Sequence, residues 1–356
     1  MSGSAPTADL AAPLRAIPKA EIHLHLEGSI DLETLLDLRA RRGEPADAGS
    51  RARLESLYRH RDFPDFLGHF RDLCSELRAP EDFVLAVRGL AARLARDNVR
   101  HAEVMCSPGI FARRGLPAGE LLDAVTGAAD AVETAGGPRL CFILDGVRQW
   151  GPPAVEELVA LASASRSPRV IGIGIGGDET AWPAEAFAPA YREARRLGLR
   201  TTAHAGEFDG ARSVWEAMEV LEVDRIGHGI RAVEDRVLMR TLAERGLPLE
   251  CCPTSNLATG VVAGWEAHPI PTLARAGLRL TVNTDDPAMF GTTLLDEWLA
   301  LQGRLGLSTD LLLGIGRATI EAAFLPDPER SALLAEHDAA VATLFPPPGA
   351  AGEGRR

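Results

Sequence analysis

The segment LRTTAHAGEFDGARSVWEAMEVLEVDRIGHG, residues 199–229, has the pattern of a strand, a helix and a second strand. The runs LRTTAHA (199–205) and DRIGHG (224–229) are short and β-rich, and VWEAMEVLE (214–222) has apolar residues at helical spacing. Strands that alternate with helices pair in parallel through right-handed crossovers. The segment therefore predicts an α/β fold.

Six further strand candidates extend this pattern along the chain. They are AEIHLHL (20–26), VRHAEVMCS (99–107), LCFILDGV (140–147), RVIGIGI (169–175), LPLECCP (247–253) and LRLTVNTD (278–285). Eight strand–helix units over about 250 residues predict a closed (β/α)8 TIM barrel. An open, doubly wound sheet is the alternative.

Two regions exceed the minimal barrel. Residues 31–93 have mostly helical patterns and follow the first strand, so we expect a helical lid insertion on the active face. Residues 292–345 predict extra C-terminal helices. We expect a single domain over residues 13–345, with disordered tails at 1–12 and 346–356.

Composition excludes several classes of protein. A net charge of −12 disfavours a nucleic-acid footprint and an anionic membrane surface. The apolar runs are too short to cross a bilayer, and the N-terminus lacks a secretory pattern, so we expect a cytoplasmic protein. Five cysteines without a Cys-x-x-Cys pair fit a reducing compartment. The single lysine, Lys19, follows no glycine-rich loop, which excludes a Walker-type phosphate site.

Polar residues stand at the carboxyl ends of four strand candidates: His23, His25, His204, His228, Asp285 and Asp286. In a barrel these ends converge on one mouth, where catalytic residues lie. His23 and His25 are two residues apart in a strand, so both rings point to one side. Each histidine alone is more often a structural core residue than a ligand. Together with His204 and Asp285, however, they form an N/O set suited to zinc, with a position left for water.

One Zn²⁺ per chain is the prediction from this set. A bridged metal pair needs a further carboxylate inside the barrel, and the fourth strand candidate carries only glycines and aliphatic residues beyond Arg169. Glu207 follows His204 by three residues and is a candidate for proton exchange with a substrate; a carboxylate that stabilises a helix N-terminus is the alternative. His228 could orient a zinc-bound hydroxide, or be a core histidine. Asp286 could meet the substrate, or belong to a turn.

Six motifs in this order carry a resemblance to a known family: PKAEIHLHLEGS, IGGDE, TAHAGE, RIGHG, CPTSN and TDDP. From about residue 18 to 325 the chain resembles the adenosine deaminase family of the amidohydrolase superfamily, in its bacterial adenosine deaminase-like branch. The resemblance implies a (β/α)8 barrel with one zinc ion. It also implies hydrolysis of the 6-amino group of a purine to the 6-oxo purine and ammonia.

The resemblance also implies roles for individual residues. The zinc ligands would be His23, His25, His204 and Asp285. Catalysis would use Glu207 to protonate purine N1, His228 to hold the hydroxide, and Asp285 at the metal. The substrate would be bound by Asp286 at N7, the Gly177 backbone N–H at N3, and Glu27 and Ser107 on the ribose side. Phe66, Leu67 and Phe70 of the lid would cover the purine.

Departures from the family pattern leave the substrate open. Gly174 and Ile175 stand where the family commonly has Asp and Leu, and Glu27 replaces an Asp. Arg148 lies near the mouth, where it could pair with a substrate carboxylate or form a structural salt bridge. We expect a small-molecule purine nucleoside as partner, adenosine or a 5′-modified adenosine. The alternatives are 6-amino-6-deoxyfutalosine, adenine, a catalytically silent nucleoside-binding barrel and another amidohydrolase reaction; the oligomeric state stays open.

Overall fold

The structure, a computed structural model, describes residues 8–44 and 47–346. Eight strands form one sheet in the order β1 to β8, and every neighbouring pair is parallel. Their bounds are β1 Lys19–His25, β2 Val99–Cys106, β3 Arg139–Val147, β4 Val170–Gly176, β5 Arg200–Ala205, β6 Arg225–His228, β7 Leu249–Cys251 and β8 Leu280–Val282. All eight predicted strands are confirmed, although β7 and β8 are shorter than their sequence patterns.

The sheet closes between its first and last strands. Leu24 and Asp285 form a parallel bridge just beyond β8. The His25 backbone N–H donates to the Asp285 carbonyl at 2.7 Å, and the Asp285 N–H donates to the His23 carbonyl at 3.2 Å. These bonds join the two ends of the strand order into a barrel, so the open doubly wound sheet is wrong. They also bring the motifs HLH and TDD together.

The helices lie outside this barrel and above its mouth. In the described ranges the α-helices are α1 Ala8–Ala16, α2 Leu32–Arg41, α3 Ala48–Ser56, α4 Phe63–Cys74, α5 Pro80–Arg96, α6 Pro108–Ala112, α7 Ala118–Thr134, α8 Pro152–Ala164, α9 Ala188–Arg196, α10 Ala211–Glu219, α11 Arg236–Arg245, α12 Pro253–Ala258, α13 Ile270–Arg275, α14 Pro287–Phe290, α15 Leu294–Gly303, α16 Thr309–Ala322 and α17 Asp327–Leu344. Helices α2 to α5 form the insertion after β1, and α15 to α17 are the extra C-terminal helices. None of these helices is long and apolar enough to cross a membrane.

The ends of the chain correct one prediction. Residues 8–12 do not belong to a disordered tail, because they begin helix α1. Leu14 on this helix and Ile17 just after it are fully buried, and Leu10 packs against the same core. Burial of these apolar side chains stabilises the helix. Residues 1–7 and 347–356 of the predicted tails lie outside the described residues.

Candidate active site

Four side chains converge at the mouth of the barrel. His23 and His25 end β1, His204 lies near the end of β5, and Asp285 follows β8. One possible ligand atom from each of the four lies within 4.8 Å of those from the others, and all four residues are buried. Asp285 Oδ1 is 3.4 Å from His23 Nε2 and 3.3 Å from His25 Nε2. The structure thus brings together the whole predicted ligand set.

Hydrogen bonds at Nδ1 orient two of the imidazole rings. His23 Nδ1 is 2.7 Å from Glu250 Oε2, and His204 Nδ1 is 3.0 Å from the Ile175 carbonyl oxygen. In the neutral rings these contacts place the proton on Nδ1, so that the Nε2 lone pair can bind a metal. Within the described part of the chain, His23 Nε2 has no hydrogen-bond partner although it is fully buried. A buried donor set of this kind fits zinc.

A second group of possible ligands shares two of these residues. It combines His23 and Asp285 with His228 and Cys252. Burial raises the pKa of the Cys252 thiol well above its ordinary value, and only the thiolate is a strong metal ligand. The first group needs no deprotonated thiol, so it is the better metal site.

Two residues of the site have strained backbones. Asp285 has a φ of 65° and His228 a φ of 57°, in the left-handed region that side chains other than glycine rarely adopt. Such strain costs on the order of 1–3 kcal/mol per residue and persists where the surroundings impose it. Ser255 Oγ donates to Asp285 Oδ2 at 2.6 Å and helps to hold that carboxylate.

His228 lies between the ligand set and Glu207. Its Nε2 is 3.5 Å from Glu207 Oε2 and 3.8 Å from Asp285 Oδ2. Burial lowers the pKa of His228 to about 3, so the ring is neutral. The amide of Asn256 lies 3.3 Å from Nδ1. With Nδ1 accepting from that amide, the ring proton is on Nε2 and points into the site.

Glu207 is a buried acid in a fixed loop. Burial raises the pKa of Glu207 well above its ordinary value, and the nearby carboxylates of Asp285 and Glu179 raise it further. This shift favours the protonated form, in which the carboxyl group can donate a proton. The loop is held by Glu179, which accepts from the backbone N–H groups of Gly206, Glu207, Phe208 and Asp209.

A buried network of charged side chains holds the Glu250 carboxylate that contacts His23. Glu250 Oε1 accepts from Arg225 Nε at 2.5 Å, and the same guanidinium donates to Glu103 Oε2 at 2.6 Å. Glu103 also meets His101, at 3.0 Å from Nε2. Sequence reasoning missed Glu103, Glu250 and also Glu179. The available signal was a lone acidic residue within an otherwise apolar strand run, as in LPLECCP and VRHAEVMCS.

The hydrogen bond from Glu250 to His23 predicts an effect on metal binding. Replacing Glu250 with Gln is expected to weaken zinc affinity by about 10- to 100-fold, because the ring loses the carboxylate that orients it. Competition with a chromogenic chelator measures this affinity. Glu321→Gln is the matched control, because Glu321 pairs with arginines on the surface. Equal zinc affinity in the two variants would contradict the role of Glu250.

The site opens into a cavity of about 300 Å³. Ser107, Gly177 and Asp286 line it, together with Glu207 and His228. Helix α4 forms its outer wall through apolar side chains, and further apolar residues face them from other elements: Phe63, Phe66, Leu67, Phe70, Ile110, Val147 and Trp150.

Glu27 and Arg148 do not line this cavity. Glu27 is fully buried, and its Oε1 accepts from the Ser107 backbone N–H at 2.9 Å. Arg148 is buried and donates to the backbone carbonyls of Ala181 at 2.9 Å and Trp182 at 3.2 Å. The guanidinium is thus bonded to backbone oxygens outside the cavity lining, which does not support pairing of Arg148 with a substrate carboxylate. Arg71, on α4, lines the cavity instead.

Comparisons with known proteins agree with this geometry. The family model described as adenosine deaminase matches residues 18–340. An aminodeoxyfutalosine deaminase from Streptomyces avermitilis is 35% identical over 343 residues, which is 95% of each chain. The crystal structure of an adenine deaminase from Arthrobacter aurescens is 32% identical, with a TM-score of 0.86 over 92% of this chain and 99% of that one. An amidohydrolase structure from Burkholderia ambifaria with bound Zn is 30% identical, with a TM-score of 0.85 over 96% of both chains.

Proposed function

This chain belongs to the adenosine deaminase family and is a hydrolase of C–N bonds, and we propose that it removes the 6-amino group of a purine nucleoside in a zinc-dependent reaction. The observation that carries this proposal is the convergence of His23, His25, His204 and Asp285 beside the buried acid Glu207. The products would be the 6-oxo purine nucleoside and ammonia. A silent binding barrel would have no need for a buried acid of raised pKa beside a metal-ligand set.

One Zn²⁺ per chain would be held by those four side chains and, when bound, would supply a water molecule of lowered pKa as the nucleophile. Glu207 would donate its proton to purine N1, because addition at C6 breaks the aromaticity of the ring and moves an electron pair onto N1, where the proton neutralises it. His228 would orient the nucleophile through its Nε2–H.

Two further groups would fix the purine ring. Burial raises the pKa of Asp286 well above its ordinary value. A protonated Asp286 would donate to N7, which can only accept a hydrogen bond at neutral pH. Gly177 has a φ of 93°, which a side chain rarely adopts, and its backbone N–H would meet N3. Together with Glu207, these groups would contact three ring nitrogens and select a purine.

Beyond the purine, the cavity favours a nucleoside with an apolar 5′ group. The outer wall of phenylalanines and Trp150 offers apolar surface that could cover the purine and also pack against an apolar 5′ group. Arg71 lies beside this wall with its side chain 80% exposed, where it could pair with a carboxylate. 6-Amino-6-deoxyfutalosine carries a carboxyphenyl group at that end, and a relative that is 35% identical is an aminodeoxyfutalosine deaminase. Adenine is the second candidate, because a solved relative is an adenine deaminase.

A parallel activity screen tests the proposed substrate class. We expect kcat/KM for aminodeoxyfutalosine to exceed that for adenosine roughly 10- to 100-fold, because its aryl group buries on the order of 100 Å² of apolar surface. The fall in absorbance on conversion to the 6-oxo product measures both rates. Fastest turnover of adenine would favour the second candidate. No turnover of adenine, adenosine, deoxyadenosine or aminodeoxyfutalosine would contradict the proposed function.

A further inference from the structure

Asp145 is a buried carboxylate of the active-site cavity to which the proposed chemistry gives no role. It lies in the last part of β3, its side chain lines the cavity, and it is 5% exposed. Among residues 8–44 and 47–346, its Oδ1 has no hydrogen-bond partner. A buried carboxylate oxygen without a hydrogen-bond donor raises the free energy of the folded protein. A ligand that supplies a donor would remove that cost.

Two glycines of the neighbouring strand make room for this side chain. Asp145 pairs with Gly174 in the register of β3 and β4. A β-carbon on Gly174 would lie 2.8 Å from Asp145 Oδ1, and a β-carbon on Gly176 would lie 2.9 Å from Oδ2. Any other residue at these positions would therefore displace the carboxylate. The alternating glycines of GIGIG thus have a local reason. They leave space beside β4 that the Asp145 carboxylate occupies.

The position of Asp145 on the barrel rim places it near the edge of the purine that carries N9. This step rests on the proposed function, in which Asp286 after β8 meets N7 and Gly177 after β4 meets N3. N9 lies between N7 and N3 on the far side of the purine from C6. It therefore faces the strand ends between those two residues, where Ser107 and Asp145 line the cavity. In a nucleoside, N9 carries the sugar.

We propose that Asp145 is a specificity-determining residue that accepts a hydrogen bond from a ribose hydroxyl of the substrate. A hydroxyl is the donor that a nucleoside offers at this edge, because its N9 carries no hydrogen. A carboxylate oxygen is a strong acceptor for such a donor. The enzyme should therefore act faster on ribonucleosides than on nucleosides whose sugar lacks that hydroxyl.

The test compares substrates within each enzyme variant. Wild type, Asp145→Ala and Asp145→Asn are assayed with adenosine, 2′-deoxyadenosine, 3′-deoxyadenosine and 2′,3′-dideoxyadenosine. In the wild type we expect kcat/KM to fall about 10- to 100-fold for the dideoxy compound, as for the loss of a hydrogen bond to a charged group. The two monodeoxy compounds show which hydroxyl is bound. Asp145→Ala should abolish the preference by slowing only the hydroxylated substrates, and Asp145→Asn should retain part of it.

Ratios within one variant cancel losses from misfolding or reduced zinc content. Asp123→Ala, on the exposed face of α7, is the control and should keep the wild-type ratio. A wild type that deaminates nucleosides without preferring adenosine would overturn the proposal, even if Asp145→Ala fails to fold. An equal loss on all four nucleosides in Asp145→Ala would overturn it too. Wild type that acts on no nucleoside refutes the proposed function itself, which is a separate result.

Discussion

Replacement of Glu207 by glutamine is expected to lower kcat/KM for deamination by about 10²- to 10⁴-fold, the range for loss of a general acid. Glutamine has nearly the same shape but cannot release a proton to N1. The backbone of this loop is held by Glu179, not by the Glu207 side chain, so the loop should keep its position. Glu207 is also outside the predicted ligand set. Steady-state kinetics and metal analysis on the same preparation measure both properties.

Glu219→Gln is the matched control for this substitution. Glu219 is exposed on α10 and pairs with Arg245 on the surface, so its loss should leave kcat/KM unchanged. An unchanged kcat in Glu207→Gln would remove Glu207 from proton transfer. A variant that loses both activity and zinc would give Glu207 a structural role at the metal instead. A fall in kcat with zinc retained is the result expected for loss of proton transfer.

The barrel and its ligand set were accessible to sequence reasoning because local pattern and barrel topology agree. A short β-rich run predicts each strand, and the parallel arrangement brings the carboxyl ends of the strands to one rim. His23, His204 and Asp285 are far apart in sequence, yet their common place at strand ends is a local property. The backbone bonds between Asp285 and β1 that close the barrel are long-range and leave no sequence pattern.

The direction of side chains that follow a strand end could not be predicted from the sequence. Glu27 begins a short 3₁₀ helix, Glu27–Ser29, which turns its carboxylate toward the Ser107 N–H and away from the cavity. Arg148 is turned by carbonyl groups more than thirty residues further along the chain. Asp145 was missed for the opposite reason. Its role depends on the empty space above the glycines of a neighbouring strand, which only the strand register defines.

The adjacent acids Asp285 and Asp286 should separate metal binding from substrate binding. Asp285→Ala is expected to reduce the zinc content from about one ion per chain to nearly none, because a site with four protein ligands loses its carboxylate. Deamination should then fall below detection. Asp286→Ala should keep about one zinc ion and raise KM roughly 10- to 100-fold, because purine N7 would be buried without its hydrogen-bond partner. Metal analysis and kinetics of both variants give the comparison.

The two substitutions control for each other, because both remove a buried carboxylate from the same turn. Equal zinc content in the two variants would contradict the ligand role of Asp285. A wild-type content near two zinc ions per chain would contradict the single-metal site. Removal of the metal with a chelator should abolish activity in the wild type, and one equivalent of zinc should restore it.

Proton release gives this prediction a second readout. Burial lowers the pKa of His23 and His25, but Asp285, Glu250 and Asp286 more than offset it and raise the values to about 9 and about 10. Without metal, both rings are therefore imidazolium cations near neutral pH, with a proton on Nε2 as well as on Nδ1. Zinc must displace these protons, so its apparent affinity should rise with pH through this range.

Calorimetric titration of zinc in buffers of different ionisation enthalpy counts the protons released. We expect about two per zinc ion near neutral pH in the wild type. In Asp285→Ala the imidazoles lose a carboxylate partner, so their pKa values fall and fewer protons compete with zinc. If Asp285 acted only on the protonation of the rings, this variant would bind zinc more tightly. If Asp285 is a ligand, binding weakens despite the reduced competition, and that opposite sign identifies its role.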